Sequence, residues 1–195
     1  EEAARSFLGA TRGLDAPGPF LVLDIGGGST EFVVGADAPT AAISVQMGSV
    51  RLTERFVRHD PPTADEIDAM RSFVRERLEG VARAVPIGDV RTLVAVAGTS
   101  TTVQAVALGL PHDDPEAVHR TRLARGAAER VLRRLAEMTT AERASLPVMA
   151  PGRADVIVAG AVILVEVMGR FGFEDALVSE TDILDGLLSE MLGAP

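Results

Sequence analysis

The sequence predicts a mixed α/β domain, in which an antiparallel strand meander joins buried parallel strands and helices flank the sheet. Residues 20–24 and 92–97 are almost entirely apolar, as expected for strands covered on both faces. Two further strand-like stretches, at 30–35 and 41–46, follow the first after short turns, which is the pattern of a meander. Apolar residues at helical spacing over 64–85 predict a long amphipathic helix.

Turn and capping residues separate the predicted elements. The Pro- and Gly-rich stretch at 16–19 ends a first helix, and Asp37 with Pro39 marks the turn between the second and third strands. Thr63 is a good N-cap for the helix that follows it. The expected order is helix 2–9, strands 20–24, 30–35 and 41–46, a short helix to Phe56, helix 64–85, strand 92–97, a helix to Leu108, an edge strand at 118–123, helices 126–138, 140–145 and 153–169, strand 176–179 and helix 181–192.

Composition narrows the class of protein. The 195 residues suit one domain with a Val, Leu, Ile and Ala core, because the chain is 47% apolar but has no Trp or Tyr. The absence of cysteine excludes disulfides, and the longest apolar run, at 156–165, is too short to span a bilayer. We therefore expect a cytoplasmic protein without a membrane partner. A net charge of −9 argues against non-specific nucleic-acid binding.

The most informative stretch is residues 20–31, Phe-Leu-Val-Leu-Asp-Ile-Gly-Gly-Gly-Ser-Thr-Glu. A buried strand ends near Asp24, three glycines allow a ligand to approach bare main chain, and a second acid, Glu31, opens the next strand. Main-chain N–H groups in such a turn bind anions, and carboxylates hold hard cations. The pattern therefore predicts a site for a phosphate with its divalent cation.

Three other interpretations of the same residues can be compared with the sequence, which argues against the first two. The third glycine of a dinucleotide-binding fingerprint would fall on Glu31, and a strand rather than a helix follows. A Walker A loop needs a lysine, whereas all 19 basic residues here are arginines. A glycine-rich hairpin turn with solubilising acids on its rim remains open.

Two later turns have similar chemistry. Gly98 and Thr99 follow the strand at 92–97 and open a helix, whose N-terminus attracts phosphate, although hydroxyls there are also ordinary capping residues. Gly48 likewise leads from a strand into a helix, and Arg51 on that helix could bind an anion with two hydrogen bonds. A plain helix entry is the alternative there.

These motifs together resemble the exopolyphosphatase / guanosine pentaphosphate phosphohydrolase family, within the actin- and sugar-kinase-like superfamily. The resemblance covers Glu1-Glu-Ala-Ala, the 24–31 string, Met47-Gly-Ser-Val-Arg, Ala97-Gly-Thr-Ser-Thr-Thr, Pro151-Gly-Arg-Ala-Asp and Ser179-Glu-Thr-Asp. It implies a ribonuclease H-like lobe. It also implies that an upstream lobe, whose Asp-x-Gly-Ser-Asn-Ser loop is absent here, completes a two-lobed active site, so that residues 1–195 are the second lobe.

The resemblance also implies roles for single residues. Glu2 corresponds to the general base that activates water, and Asp24 and Glu31 to acids that hold magnesium or orient that water. Gly26, Gly27, Gly28 and Ser29 correspond to the first phosphate-binding turn. Gly98 and Thr99 correspond to the second. Alanine stands at position 4, where the family has arginine.

The expected function is magnesium-dependent hydrolysis of the terminal phosphoanhydride of inorganic polyphosphate or guanosine pentaphosphate. Two other classes stay open: a sugar- or acetate-type kinase of the same superfamily, and a binding module without catalysis. The sequence leaves the oligomeric state open, a homodimer included.

Overall fold

A six-stranded mixed sheet, in the order β3-β2-β1-β4-β6-β5, forms the centre of the computed structural model, which describes residues 2–180 with side chains from residue 7 onward. β1 pairs antiparallel with β2 and parallel with β4, and the β2–β3 and β5–β6 pairs are antiparallel. β4 and β6 are parallel. The strands are β1 Phe20–Ile25, β2 Thr30–Gly35, β3 Pro39–Val45, β4 Thr92–Val96, β5 Thr121–Ala124 and β6 Asp175–Val178. The predicted mixed α/β class, with its meander and parallel strands, is confirmed.

Eight α-helices connect and cover these strands within the described residues. They are α1 Glu2–Thr11, α2 Ser49–Phe56, α3 Ala64–Ala84, α4 Ala97–Leu108, α5 Pro115–Val118, α6 Arg125–Glu137, α7 Thr140–Ala144 and α8 Ile157–Phe171. Thr63 caps α3 in a capping box with Glu66, as its position before the apolar pattern predicts. α8 is buried from Ile157 to Met168, because α2, α3, α4 and α6 pack around it.

Alternate residues of β1 face opposite sides of the sheet, and each side has its own core. Leu21, Leu23 and Ile25 belong to the large core under the helices that surround α8. Val22 and its neighbours Val33 and Val94 instead pack against Phe7 of α1. α1 thus covers one face of β1–β4 and the other helices cover the opposite face.

Most predicted boundaries agree with the structure to within about two residues, and three differences have a clear physical reason. The stretch predicted as one edge strand at 118–123 divides into α5 and β5, because Asp114 caps a short helix with Pro115 at its first position. The helix predicted at 153–169 begins only at Ile157, since residues 151–156 form successive turns. β3 begins at Pro39, which as the first residue of an edge strand costs the sheet no hydrogen bond. The predicted helix at 181–192 lies outside the described residues.

None of the helices in residues 2–180 combines the length and the apolar character that crossing a bilayer requires.

Candidate functional site

The glycine turn, Gly26–Gly28, is held by the first turn of α2. The N–H and hydroxyl of Ser49 both donate to the carbonyl of Gly26, over 2.9 and 3.3 Å. The N–H of Arg51 donates to the carbonyl of Gly27 over 3.1 Å, and its Nε donates to that of Gly28 over 2.9 Å. All three glycine carbonyls therefore point toward α2.

This arrangement fixes the direction of the amides that follow each glycine. In a trans peptide the N–H points opposite to the carbonyl of the same unit, and the peptide bonds of this turn are trans. The N–H groups of Gly27, Gly28 and Ser29 consequently point away from α2. Neither Gly27 nor Gly28 donates a main-chain hydrogen bond within the described structure, so both amides are available to an anion.

Gly48 allows this close approach. A Cβ at position 48 would overlap the main chain of Gly27 and Gly28. The hydroxyl of Thr30 donates to the carbonyl of Met47 over 2.6 Å, and this bond fixes the residue that precedes Gly48. Gly48 is therefore required by main-chain packing, and it supports the turn without lining a cleft.

The second turn joins β4 to α4 beside the first. Ala97 adopts a left-handed conformation, with φ +62°, which is strained for a residue with a Cβ and directs the start of α4. The hydroxyl of Thr99 donates to the carbonyl of Ile25 over 3.4 Å, so the two turns are tied together. The first amides of α4 have no partner within the helix and carry the positive end of its dipole.

The two turns enclose a cleft of about 280 Å³ with a third segment, residues 151–153. Gly26, Gly27, Gly98 and Thr99 all line it. The guanidinium of Arg153 lies directly over Gly98, where a Cβ would overlap it, and donates to the hydroxyl of Thr102 over 3.3 Å. The cleft, which Ser49 also lines, therefore brings the main chain of both turns together with the cation of Arg153.

Arg143 holds the segment that carries Arg153. Its buried guanidinium donates to the carbonyls of Ala154, Leu135 and Met138 over 2.8–3.0 Å. Burial lowers the pKa of this group from its ordinary value, while Asp60 and Asp155 act in the opposite direction. Arg143 thus links the end of α6 to the turns before α8.

The two predicted metal-binding acids are cross-strand neighbours. Asp24 pairs with Glu31 between β1 and β2, and Glu31 pairs with Ser44 of β3. Residues two apart in a strand share a face, so Asp24 lies on the same face as Val22 and Glu31 on the same face as Val33. This is the face that α1 covers. Glu31 Oε1 accepts from the hydroxyls of Ser29 and Ser44 over 2.6 and 2.7 Å. The carboxylates thus lie beside the glycine turn, and neither of them lines the Arg153 cleft.

The remaining predicted residues occupy supporting positions. Gly28, Ser29, Gly48 and Arg51 adjoin the glycine turn without lining the cleft. Ser29 positions Glu31, and Arg51 also donates to the side chain of Gln46 over 2.9 Å. Glu2 is the first residue of α1, but its side chain lies outside the described residues.

Arg153, Ser44 and Arg143 are the site residues that sequence reasoning did not single out. Arg153 stands in the Pro151-Gly-Arg segment, one of the motifs that carry the family resemblance, and this was the signal available. Ser44 becomes recognisable only once the β2–β3 register is known. No local pattern marks Arg143, whose acceptors are carbonyls from distant elements.

Comparison with known proteins gives a consistent match. The sequence model of the Ppx/GppA phosphatase family matches residues 1–194. "Exopolyphosphatase 2" of Mycobacterium tuberculosis (strain ATCC 25618 / H37Rv) is 45% identical over 99% of this chain and 62% of its own. A crystal structure described as an exopolyphosphatase-like protein superposes with a TM-score of 0.92 at 38% identity, covering 97% of this chain and 65% of its own. The Aquifex aeolicus Ppx/GppA phosphatase gives 0.89 at 31% identity, with 97% and 62% covered. The chain thus spans somewhat under two thirds of these relatives.

Proposed function

Since the chain belongs to the Ppx/GppA phosphatase family, we propose that it forms part of an enzyme that hydrolyses the terminal phosphoanhydride of inorganic polyphosphate, of guanosine pentaphosphate, or of both. The observation that carries the proposal is the cleft in which two main-chain turns and Arg153 surround about 280 Å³. The relatives extend well beyond the length matched here, which supports a second lobe that completes the site.

The cleft suits a phosphoryl group because its donors are fixed before any ligand binds. The carbonyls of the glycine turn are held by Ser49 and Arg51, so the N–H groups need no reorganisation. Preorganised donors of this kind stabilise the charge that spreads over the transferring group. Arg153 adds a planar cation, which binds phosphate through two parallel hydrogen bonds.

The donor chemistry of the two acids beside the glycine turn fits a magnesium ion. Magnesium in phosphoryl-transfer sites takes one or two carboxylates and completes its shell with water and substrate phosphates. Asp24 and Glu31 supply two adjacent carboxylates, and the two serine hydroxyls fix Oε1 of Glu31. When bound, magnesium would neutralise charge on the phosphates.

The proposed reaction is an attack of water on the terminal phosphorus. The bond from that phosphorus to the bridging oxygen breaks, orthophosphate leaves, and the shortened chain carries the new negative charge. In this proposal Glu2 receives the proton of the attacking water, as its correspondence to the family's general base implies.

The test is phosphate release by the full-length protein from long-chain polyphosphate and from guanosine pentaphosphate, with and without magnesium. We expect magnesium-dependent release from at least one substrate without any acceptor molecule. Arg153→Gln should lower kcat/KM by about 10²-fold, because an oriented donor to developing charge is lost. Arg133→Gln, which removes an exposed charge from α6, is the matched control.

Two results would contradict the proposal. Phosphate transfer that occurs only when a sugar or a carboxylate acceptor is added would identify a kinase. Tight binding of either substrate without turnover, in protein whose Tm shows that it is folded, would identify a binding module.

A further inference from the structure

A second depression lies along the edge strand β3, on the side of α2 and α3. It encloses about 500 Å³ and is lined by residues 43–45 of β3 and the following Gln46, by Arg51 and Arg55 of α2, and by Phe73 and Arg77 of α3. We call it the arginine groove. Three guanidinium groups from two helices thus face one open space beside the glycine turn.

These guanidinium groups are held in place without using carboxylates. Arg55 and Arg77 lie over the ring of Phe73, with their Cζ atoms 4.4 and 4.7 Å from its centroid. Phe56 packs against the same ring at 5.5 Å. A guanidinium stacked on an aromatic face keeps its N–H edges free, so both groups remain able to bind an oxyanion.

The charge of the arginine groove is not neutralised by the part of the chain that the structure describes. Arg51, Arg55 and Arg77 form no ion pair with any described carboxylate, and all three side chains are exposed. On the same helices, Arg71 and Arg75 are both paired with Glu166. In a chain of net charge −9, three such cations in one groove form a local site for an anion.

Arg51 connects the arginine groove to the glycine turn. Its Nε donates to the carbonyl of Gly28 while its side chain lines the groove. Arg51 is thus shared by the turn and the groove, and Arg55 follows it by one turn of α2.

We propose that the arginine groove binds interior phosphates of a condensed-phosphate chain while the terminal phosphate occupies the hydrolytic cleft. This inference rests on the proposed function. Each guanidinium can donate two parallel hydrogen bonds to the non-bridging oxygens of a phosphate. Long chains are thereby bound more tightly than short ones, which cannot reach from the cleft to Arg55 and Arg77.

The test compares chain lengths in the full-length protein. The double variant Arg55→Gln/Arg77→Gln should raise KM for long-chain polyphosphate about tenfold, as loss of two charge-assisted contacts implies. It should leave kcat and the kinetics with tripolyphosphate unchanged. The matched control is Arg91→Gln/Arg133→Gln, which removes the same charge from exposed positions outside the groove. An equal effect of both double variants, or an equal effect on both chain lengths, would overturn the proposal.

A binding measurement separates this inference from the proposed function. Labelled long-chain polyphosphate is titrated into the protein in EDTA. Unlabelled polyphosphate, inorganic phosphate and GTP are then added as competitors. Weaker binding by the groove variant alone supports the arginine groove even if the wild-type protein releases no phosphate. Binding of the groove variant that equals wild type, or displacement by GTP but not by unlabelled polyphosphate, would overturn it.

Discussion

Gly48 lies against the main chain of Gly27 and Gly28, and the geometry of the glycine turn depends on this contact. Its φ of −99° is open to any residue, so the requirement for glycine is steric and not conformational. The contact lets the N–H of Ser49 reach the carbonyl of Gly26. A side chain at position 48 would therefore push apart the two segments that orient the amides.

We predict that Gly48→Ala lowers the free energy of unfolding by about 2 kcal/mol, because the added methyl forces main-chain atoms to move. The rate of phosphate release should also fall, even under conditions where the variant is fully folded, since the amides of Gly27 and Gly28 lose their direction. Urea unfolding and initial rates measure the two effects. Gly169→Ala, at an exposed position of α8 where a Cβ meets nothing, is the control and should not destabilise the protein. Equal stability of the two variants would refute the steric argument.

At the scale of elements, local patterns predicted those strands and helices whose ends are marked by turn or capping residues. The meander follows from short strands separated by glycine and proline, and α3 from the cap at Thr63. The start of α8 was not predicted because helical spacing continues through residues 153–156. Local main-chain bonds, from Arg153 to Ala150 and from Val156 to Arg153, form turns there instead, and the side chain of Arg143 holds the carbonyl of Ala154. Tertiary hydrogen bonds of this kind leave no local periodicity.

The candidate site also contains some features that local sequence predicts and others that depend on contacts between separate segments. The glycine turns were predictable because anion binding requires bare main chain at strand ends, and glycine is visible in the sequence. The position of Arg153 over Gly98 depends on how three distant segments meet. The position of Asp24 beside Glu31, outside the lining of the cleft, likewise follows from the strand register and not from spacing along the chain.

The α3–α8 interface provides a prediction at this scale. Glu166 of α8 is buried and accepts from Arg71 over 2.7 Å and from Arg75 over 2.6 and 3.1 Å. Glu166→Ala should lower the free energy of unfolding by about 3 kcal/mol, because Arg71 then loses its carboxylate in a partly buried place. Glu79→Ala removes the exposed pair with Arg170 between the same helices and is the control. Urea unfolding should show a much smaller loss of unfolding free energy for Glu79→Ala than for Glu166→Ala. Equal losses in the two variants would contradict the role of burial.

For the molecule as a whole, the distribution of charge matters more than the total of −9. The acidic surface repels polyanions at long range, while arginines that pair with no carboxylate in the described residues lie at the cleft and along the arginine groove. Several carboxylates elsewhere are bound in the native state. Main-chain and hydroxyl donors of Thr139 lower the pKa of Glu142, and Arg170 lowers the pKa of Glu79. Such groups make stability fall in acid, because protonation breaks their hydrogen bonds.

Glu66 provides the clearest test of this acid dependence. The N–H of Thr63 and then the side chain of His59 lower its pKa from 4.5 to about 2. A depressed pKa contributes stability that is complete above the unfolded value of 4.5 and is lost as the pH falls toward 2. Glu66→Gln should therefore have a lower Tm than wild type at pH 7, and the difference should shrink between about pH 4.5 and pH 2. Thermal unfolding across this range measures it, with the exposed Glu129→Gln as control. A difference that is independent of pH would show that the charge of Glu66 contributes nothing to the cap of α3.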